Sequence, residues 1–356
     1  MNFTASRWDK IREDSDKWWA GELKRPLIQM RLNGADPGRD EPALPFHSFT
    51  SFYDLDVSAE AIVDRWDYNL SCCKFLGDSF PSVWPNFGAG VMAAMMGANL
   101  LNGDDTVWFN PKEEKEISDL SFEFDTNNVW FNRIKDIYKA GLERWEGLVQ
   151  FDMTDLGGNL DILSSFRPSE KLLLDLYDFP DAVKRMTWEA HEKWFSYYGA
   201  FNSLLQPVNP GYTAWTPIFS TQPYYILQCD FCYMISPDMF DEFVKPELAA
   251  ACKRLTNSFY HLDGPGQLAH LDSLLTIDEL KGVQWIPGAG SPLCDQWPEV
   301  YRKIRDAGKL IQISADVSYF DTIVEQLGSA EGIVLMTSVN INQEAEACEL
   351  LARYGV

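Results

Sequence analysis

The stretch that decides the fold runs from Val283 to Gly355: Val283-Gln-Trp-Ile-Pro287, then Pro298-Glu-Val-Tyr-Arg-Lys-Ile-Arg-Asp-Ala-Gly308, Leu310-Ile-Gln-Ile313, Phe320-Asp-Thr-Ile-Val-Glu-Gln-Leu-Gly328, Ile333-Val-Leu-Met336, and Gln343 to Gly355. Short apolar runs of strand length alternate here with amphipathic runs of helix length, each closed by a glycine suited to a left-handed cap. Three strand–helix units in succession predict a parallel sheet. Reading backwards, Phe259 to Leu262 is a strand, preceded by a helix that Ser236 caps and Pro237 opens. Pro246 should kink or split that helix, because proline brings no N–H and crowds the preceding turn. Further strands fit Tyr224 to Leu227, Leu148 to Met153, Phe80 to Trp84 and Pro26 to Arg31, and a long helix fits Pro180 to Ala200.

Eight strands separated mostly by helices, without a flexible linker or fixed-period repeat, predict an α/β chain folded as a single (β/α)8 TIM barrel spanning residues 1–356. Residues 1–24 form an N-terminal helical extension in this reading, and Ala35 to Leu55, rich in proline and aromatics, is an insertion at the barrel mouth.

Hydrophobic residues make up 46% of the 356 residues and charged residues 23%, the balance of a chain with a full core. Against 53 acidic residues stand 30 Lys plus Arg, a net charge of −23 that repels nucleic-acid phosphates and anionic membrane surfaces. Ser79 to Gly103 and Asn202 to Cys229 are long and uncharged, but prolines and glycines interrupt both, so neither reads as a membrane span. No apolar signal core precedes Lys24, and the seven cysteines are scattered, so a cytoplasmic protein with reduced thiols is expected. There is no phosphate-binding glycine loop, hence no expected nucleotide.

Several segments, in order, resemble one superfamily. Arg25-Pro-Leu-Ile-Gln-Met-Arg31 is similar to the opening motif of uroporphyrinogen decarboxylases. Asp155-Leu-Gly-Gly158 through Phe166-Arg167 to Leu172–Leu176 and Pro180 resembles the same group's loop and helix, as does Ile235-Ser-Pro-Asp-Met-Phe240. Tyr260-His-Leu-Asp-Gly264 falls where members carry a His-x-Cys-Gly strand end. The superfamily joins these decarboxylases to methyltransferases that use zinc and a methylated corrinoid, and the resemblance implies a (β/α)8 barrel, a small-molecule substrate and a homodimer.

Two departures bear on the reaction. After Arg31 comes Leu-Asn-Gly-Ala-Asp36 instead of a second arginine, which disfavours a substrate with many carboxylates. The methyltransferase zinc ligands have His261 and Asp263 at the first two positions, and the eighth strand ends Met336-Thr-Ser338 without a cysteine. Zinc also accepts imidazole and carboxylate, so His261 and Asp263 remain candidate ligands.

The expected activity is methyl transfer with a separate corrinoid protein. His261, Asp263, Asp155 and Asp230 are the expected catalytic residues, and Arg31, Asn33, Asn86, Cys229, Tyr225 and His270 are expected to contact substrate. Decarboxylation of uroporphyrinogen or a smaller acid is the alternative, and a barrel that only binds a small molecule is a third. Apart from Tyr225, which lies in the aromatic run before Cys229, these positions fall at predicted C-terminal strand ends or beyond them, where such barrels carry their sites. His261 has a further attraction, as one of four histidines and two residues from a carboxylate. The spacing of Cys229 and Cys232 is half a metal site at most, and buried apolar thiols explain it as well. Aromatic residues from Tyr212 to Tyr225, with Trp84 and Phe87, suit either a large apolar ligand or barrel packing. Met92, Met95 and Met96 sit at helical spacing, which favours packing.

Overall fold

A computed structural model describes Met1 and residues 3–356. Its strands are β1 (Leu27–Asn33), β2 (Cys73–Gly77), β3 (Ser82–Val83), β4 (Asn99–Asn102), β5 (Val107–Asn110), β6 (Gln150–Phe151), β7 (Tyr224–Leu227), β8 (Asn257–Asp263), β9 (Gly282–Ile286), β10 (Leu310–Ser314) and β11 (Ile333–Asn340). A seven-stranded sheet runs β2-β1-β11-β10-β9-β8-β7, parallel except where β2 returns antiparallel along β1. β3 and β6 form a separate parallel pair, and β4 and β5 an antiparallel hairpin.

Each of the eight expected strands is present, but the expected closed ladder is not: hydrogen bonding breaks on both sides of the β3–β6 pair. The mixed α/β architecture with a mostly parallel sheet is consistent with a TIM-barrel-like form. On the β1 side, β2 intervenes, and the Asp78 carboxylate accepts the Ile28 N–H at 2.9 Å while pairing with Arg25. On the β7 side, side-chain amides replace the backbone. Asn209 accepts the Phe151 N–H at 3.0 Å and donates to the Phe151 carbonyl at 2.9 Å. Gln150 does the same with Gly211, at 3.1 and 3.0 Å. A carboxamide carries the same donor and acceptor as a peptide group, so the buried strand edge is satisfied without a neighbouring strand.

The helices follow their local signals. Val317–Leu327 ends at Gly328, whose φ of +74° is the left-handed cap, and Gly308 (φ +73°) follows Pro298–Asp306 in the same way. Ser236 accepts the Met239 N–H at its helix start. Pro246 does split this helix: a turn at Pro237–Met239 widens into a π-helical turn over Phe240–Val244 before Lys245–Arg254 continues. Pro180–Leu205 extends beyond Ala200, burying Val183, Met186, Ala190, Trp194, Tyr197 and Phe201 at helical spacing. The N-terminal extension contains the helix Arg7–Trp19, whose Trp18 and Trp19 pack on Phe259 and Tyr224 near the starts of β8 and β7. Met92 and Met95 are fully buried, as packing residues should be. No helix among the described residues is long and apolar enough to cross a membrane.

Candidate functional site

On β1 the period of two sends Gln29, Arg31 and Asn33 to one face, and they line a cavity of about 700 Å³. Its other walls include the C-terminal ends of β10 and β11 (Ser314, Met336, Thr337, Ser338), Asp316 beyond β10 and the loop Pro287–Cys294. The Arg31 Nε–H donates to the Cys73 thiol sulfur at 3.0 Å. Among the described residues Arg31 forms no ion pair, unlike Arg25 and Arg167, which are tied to aspartates, so its terminal amino groups are free for an anion in the cavity.

His261 and Asp263, two residues apart on β8, also share a face, and Asp230 joins them from the turn after β7. One ligand-type atom from each of Asp230, His261 and Asp263 lies within 4.8 Å of the other two. The His261 ring is held on two sides. Its Nδ1 hydrogen-bonds the Gln284 side-chain oxygen at 2.5 Å, and the Trp215 ring stands edge-on to it with centroids 4.9 Å apart. The Asp230 carboxyl is raised above its ordinary range, chiefly by burial, with His261 opposing and Asp263 adding to the effect. Solvent reaches Asp230 from a second cavity, yet the protein mass around it still limits its hydration.

That second cavity, about 570 Å³, is lined by Asp161, Asp230, Gln228, Ser164 and Trp108 of the hairpin. Asp161 opens onto it while its two oxygens accept the backbone N–H groups of Asp230 (2.9 Å) and Phe231 (2.7 Å). Burial first and the Asp230 charge second push Asp161 up to about 7. Asp155, buried behind them, is pushed up to about 7 by burial, with the Gly157 N–H opposing and Asp230 adding. Carboxyls so placed are a mixture of acid and anion near neutrality.

The structure therefore brings Asp230, His261 and Asp263 together, puts Arg31 and Asn33 on the larger cavity and places Asp155 behind the cluster. The other expected substrate contacts line neither cavity. Asn86 spends its amide on the Ser48 carbonyl and the Gly88 N–H, both at 3.0 Å. Tyr225 is fully buried, its hydroxyl accepting the Leu156 N–H at 2.8 Å. Cys229 and Cys232 are fully buried, and burial pushes the Cys229 thiol up. His270 is buried, stacked on Phe240 and bonded to the Cys232 carbonyl at 2.8 Å. Of the aromatics, Tyr224, Tyr225 and Phe219 are core, whereas Trp84 and Trp215 keep buried indole N–H groups with no hydrogen-bond partner among the described residues.

Sequence reasoning missed Asp161 and Gln284. For Gln284 a signal exists: Gln29, Gln150, Gln284 and Gln312 each sit between apolar neighbours in a strand, and all four are buried. A glutamine in such a place has two polar ends to satisfy, and so implies a built hydrogen-bond partner. Asp161 had no comparable signal, since aspartate in the first turn of a helix is commonplace.

No family model matches the sequence, and no curated protein matches it. Among solved structures, a methyltransferase from Methanosarcina mazei superposes with a TM-score of 0.63 over 97% of this chain and 99% of that one, at 12% identity. The fold is shared with a methyltransferase. At that identity the likeness speaks for the architecture, and the chemistry has to be argued from the site.

Proposed function

We propose that this chain is a methyl-transfer enzyme whose reactive centre is the cluster of Asp230, His261 and Asp263, working with a corrinoid protein as the second methyl carrier. The observation that carries the reading is the convergence of one imidazole and two carboxylates at strand ends, in a fold shared with a methyltransferase.

The donor set fits a divalent cation. With Nδ1 of His261 occupied by Gln284, Nε2 has a free lone pair, and the Asp230 and Asp263 carboxylates have no hydrogen-bond donor among the described side chains. His261, Asp230 and Asp263 would hold zinc, which accepts imidazole and carboxylate and leaves a position open. Such an ion supplies Lewis acidity to a coordinated acceptor. Arg31 binds a carboxylate of the small substrate in the larger cavity, and Asn33 borders it. Asp155 orients the cluster through its repulsion of Asp230 and its bond to Gln228. A protein partner at the mouth is supported by exposed Trp108 of the hairpin, Met234 of the turn after β7 and Leu293 of the Pro287–Cys294 loop, which line the cavities.

The test is metal content by elemental mass spectrometry of protein purified without chelator, against His261→Ala. About one zinc per chain, lost in the variant, supports the reading; no stoichiometric metal in either protein rejects the metal centre. Methylcobalamin turnover with candidate acceptors then tests the transfer itself.

Decarboxylation of a small acid is the second reading. The observation favouring it is the pairing of an anion-ready Arg31 with carboxyls, Asp155 and Asp161, that still hold a proton near neutrality. Carbon dioxide release from a carboxylate substrate without any metal would select it.

A further inference from the structure

We propose that Gln284 is the positioning residue of this centre: its side-chain carbonyl holds His261 as the Nδ1–H tautomer and keeps Nε2 as the ring's free lone pair. This rests on the reading of His261 as the nitrogen donor of the cluster.

His261 and Gln284 are direct partners in the parallel β8–β9 register, so their side chains leave the sheet side by side on the same face. Gln284 is 4% exposed, and its oxygen is the single hydrogen-bond partner of the His261 ring among the described residues. The tautomer is therefore decided by this one contact. Trp215, edge-on to the ring, restrains its plane but offers the ring nitrogens no acceptor. Without Gln284, the nearest strong acceptors are the carboxylates of Asp230 and Asp263. A ring N–H donated to either would use up the nitrogen that a ligand needs.

The choice of glutamine over a carboxylate matters as well. A carboxylate at this position would add a further negative charge beside Asp230 and Asp263, whereas the amide accepts the same hydrogen bond with no net charge. The next residue in register on β10, Gln312, gives its N–H to the Met336 sulfur and makes no hydrogen bond to the His261 ring.

The experiment is long-range proton–nitrogen NMR of protein carrying nitrogen-15 histidine, with His261→Ala assigning one of the four ring signals. The parent should show His261 protonated at Nδ1. Gln284→Leu should move that proton to Nε2 and weaken zinc binding about 10–100-fold in a competition titration, and Gln284→Glu, which restores the acceptor, should return the proton to Nδ1. A parent ring protonated at Nε2, or a folded Gln284→Leu whose tautomer is unchanged, overturns the proposal. Should the parent bind no zinc while the tautomer follows residue 284, the metal reading fails and the positioning role stands.

Discussion

Asp155→Asn tests whether a buried carboxyl behind the cluster is held as its acid. Asp155 is 3% exposed and is pushed from 3.8 up to about 7, mainly by burial. A carboxyl whose folded pKa is raised favours the folded state while it stays protonated, and that advantage disappears as pH climbs from the unfolded value to the folded one. The window is thus pH 4 to 7. A rise of that size corresponds to about 4 kcal/mol, an upper bound because part of it is shared with the Asp230 charge. Asparagine keeps an oxygen for the Gly157 N–H, which Asp155 accepts at 2.8 Å, but does not titrate. Urea unfolding of both proteins at several pH values isolates the effect of Asp155 and the carboxyls coupled to it, since groups that do not interact with it cancel in the difference. The variant should gain on the parent by roughly 2–4 kcal/mol between pH 4 and pH 8, with the gain complete near neutrality. A difference that changes by less than about 1 kcal/mol over that range would refute the raised pKa, and with it the proton that the second functional reading needs.

Arg31→Ala should weaken binding of carboxylate ligands about 10–100-fold while sparing their amide counterparts, because only the charged hydrogen bonds are lost. Calorimetric titration of both series checks this, and equal losses in the two would reject an anion site. Asn209→Ala leaves the buried Phe151 N–H without its partner, while the Phe151 carbonyl keeps the Gln150 amide and the Thr213 hydroxyl, and should cost about 1–3 kcal/mol in urea unfolding. A loss below about 0.5 kcal/mol would mean the strand edge is satisfied some other way.

Where local chemistry decides the structure, the sequence was legible. The Ser236-Pro237 helix start, the Pro246 interruption and the glycine stops at Gly308 and Gly328 all lie where a few neighbouring residues dictate them. The strands with long apolar runs were equally plain. The hairpin β4–β5 was not, because Leu101 and Trp108 are exposed partners on it and no buried face imposes an alternating pattern. β2 was hidden for a different reason: it is a short antiparallel edge directly after the helix Ala59–Ser71, without a turn signal between them.

The site divides in the same way. His261 with Asp263 could be read as a pair because strand periodicity puts residues two apart on one face. Asn86, Cys229 and His270 fell at plausible strand ends or nearby loops and Tyr225 inside a strand leading to one, yet their polar atoms turn to the backbone or the core, and nothing local distinguishes such a residue from one that faces a cavity.

The sequence by itself determined which segments become strands and helices, their parallel order, and that Arg31, Asp230, His261 and Asp263 would reach the same end of the sheet. Those facts follow from periodicity, caps and the handed geometry of strand–helix units, all of which act over a few residues. Only the tertiary structure decided that Asp230 closes with His261 and Asp263, that Gln284 takes the His261 ring, and that carboxamides of Asn209 and Gln150 stand in for a missing strand neighbour. Each of these contacts joins residues far apart in the chain. Their partners are set by sheet register and by what burial leaves unsatisfied, and neither exists until the strands have come together.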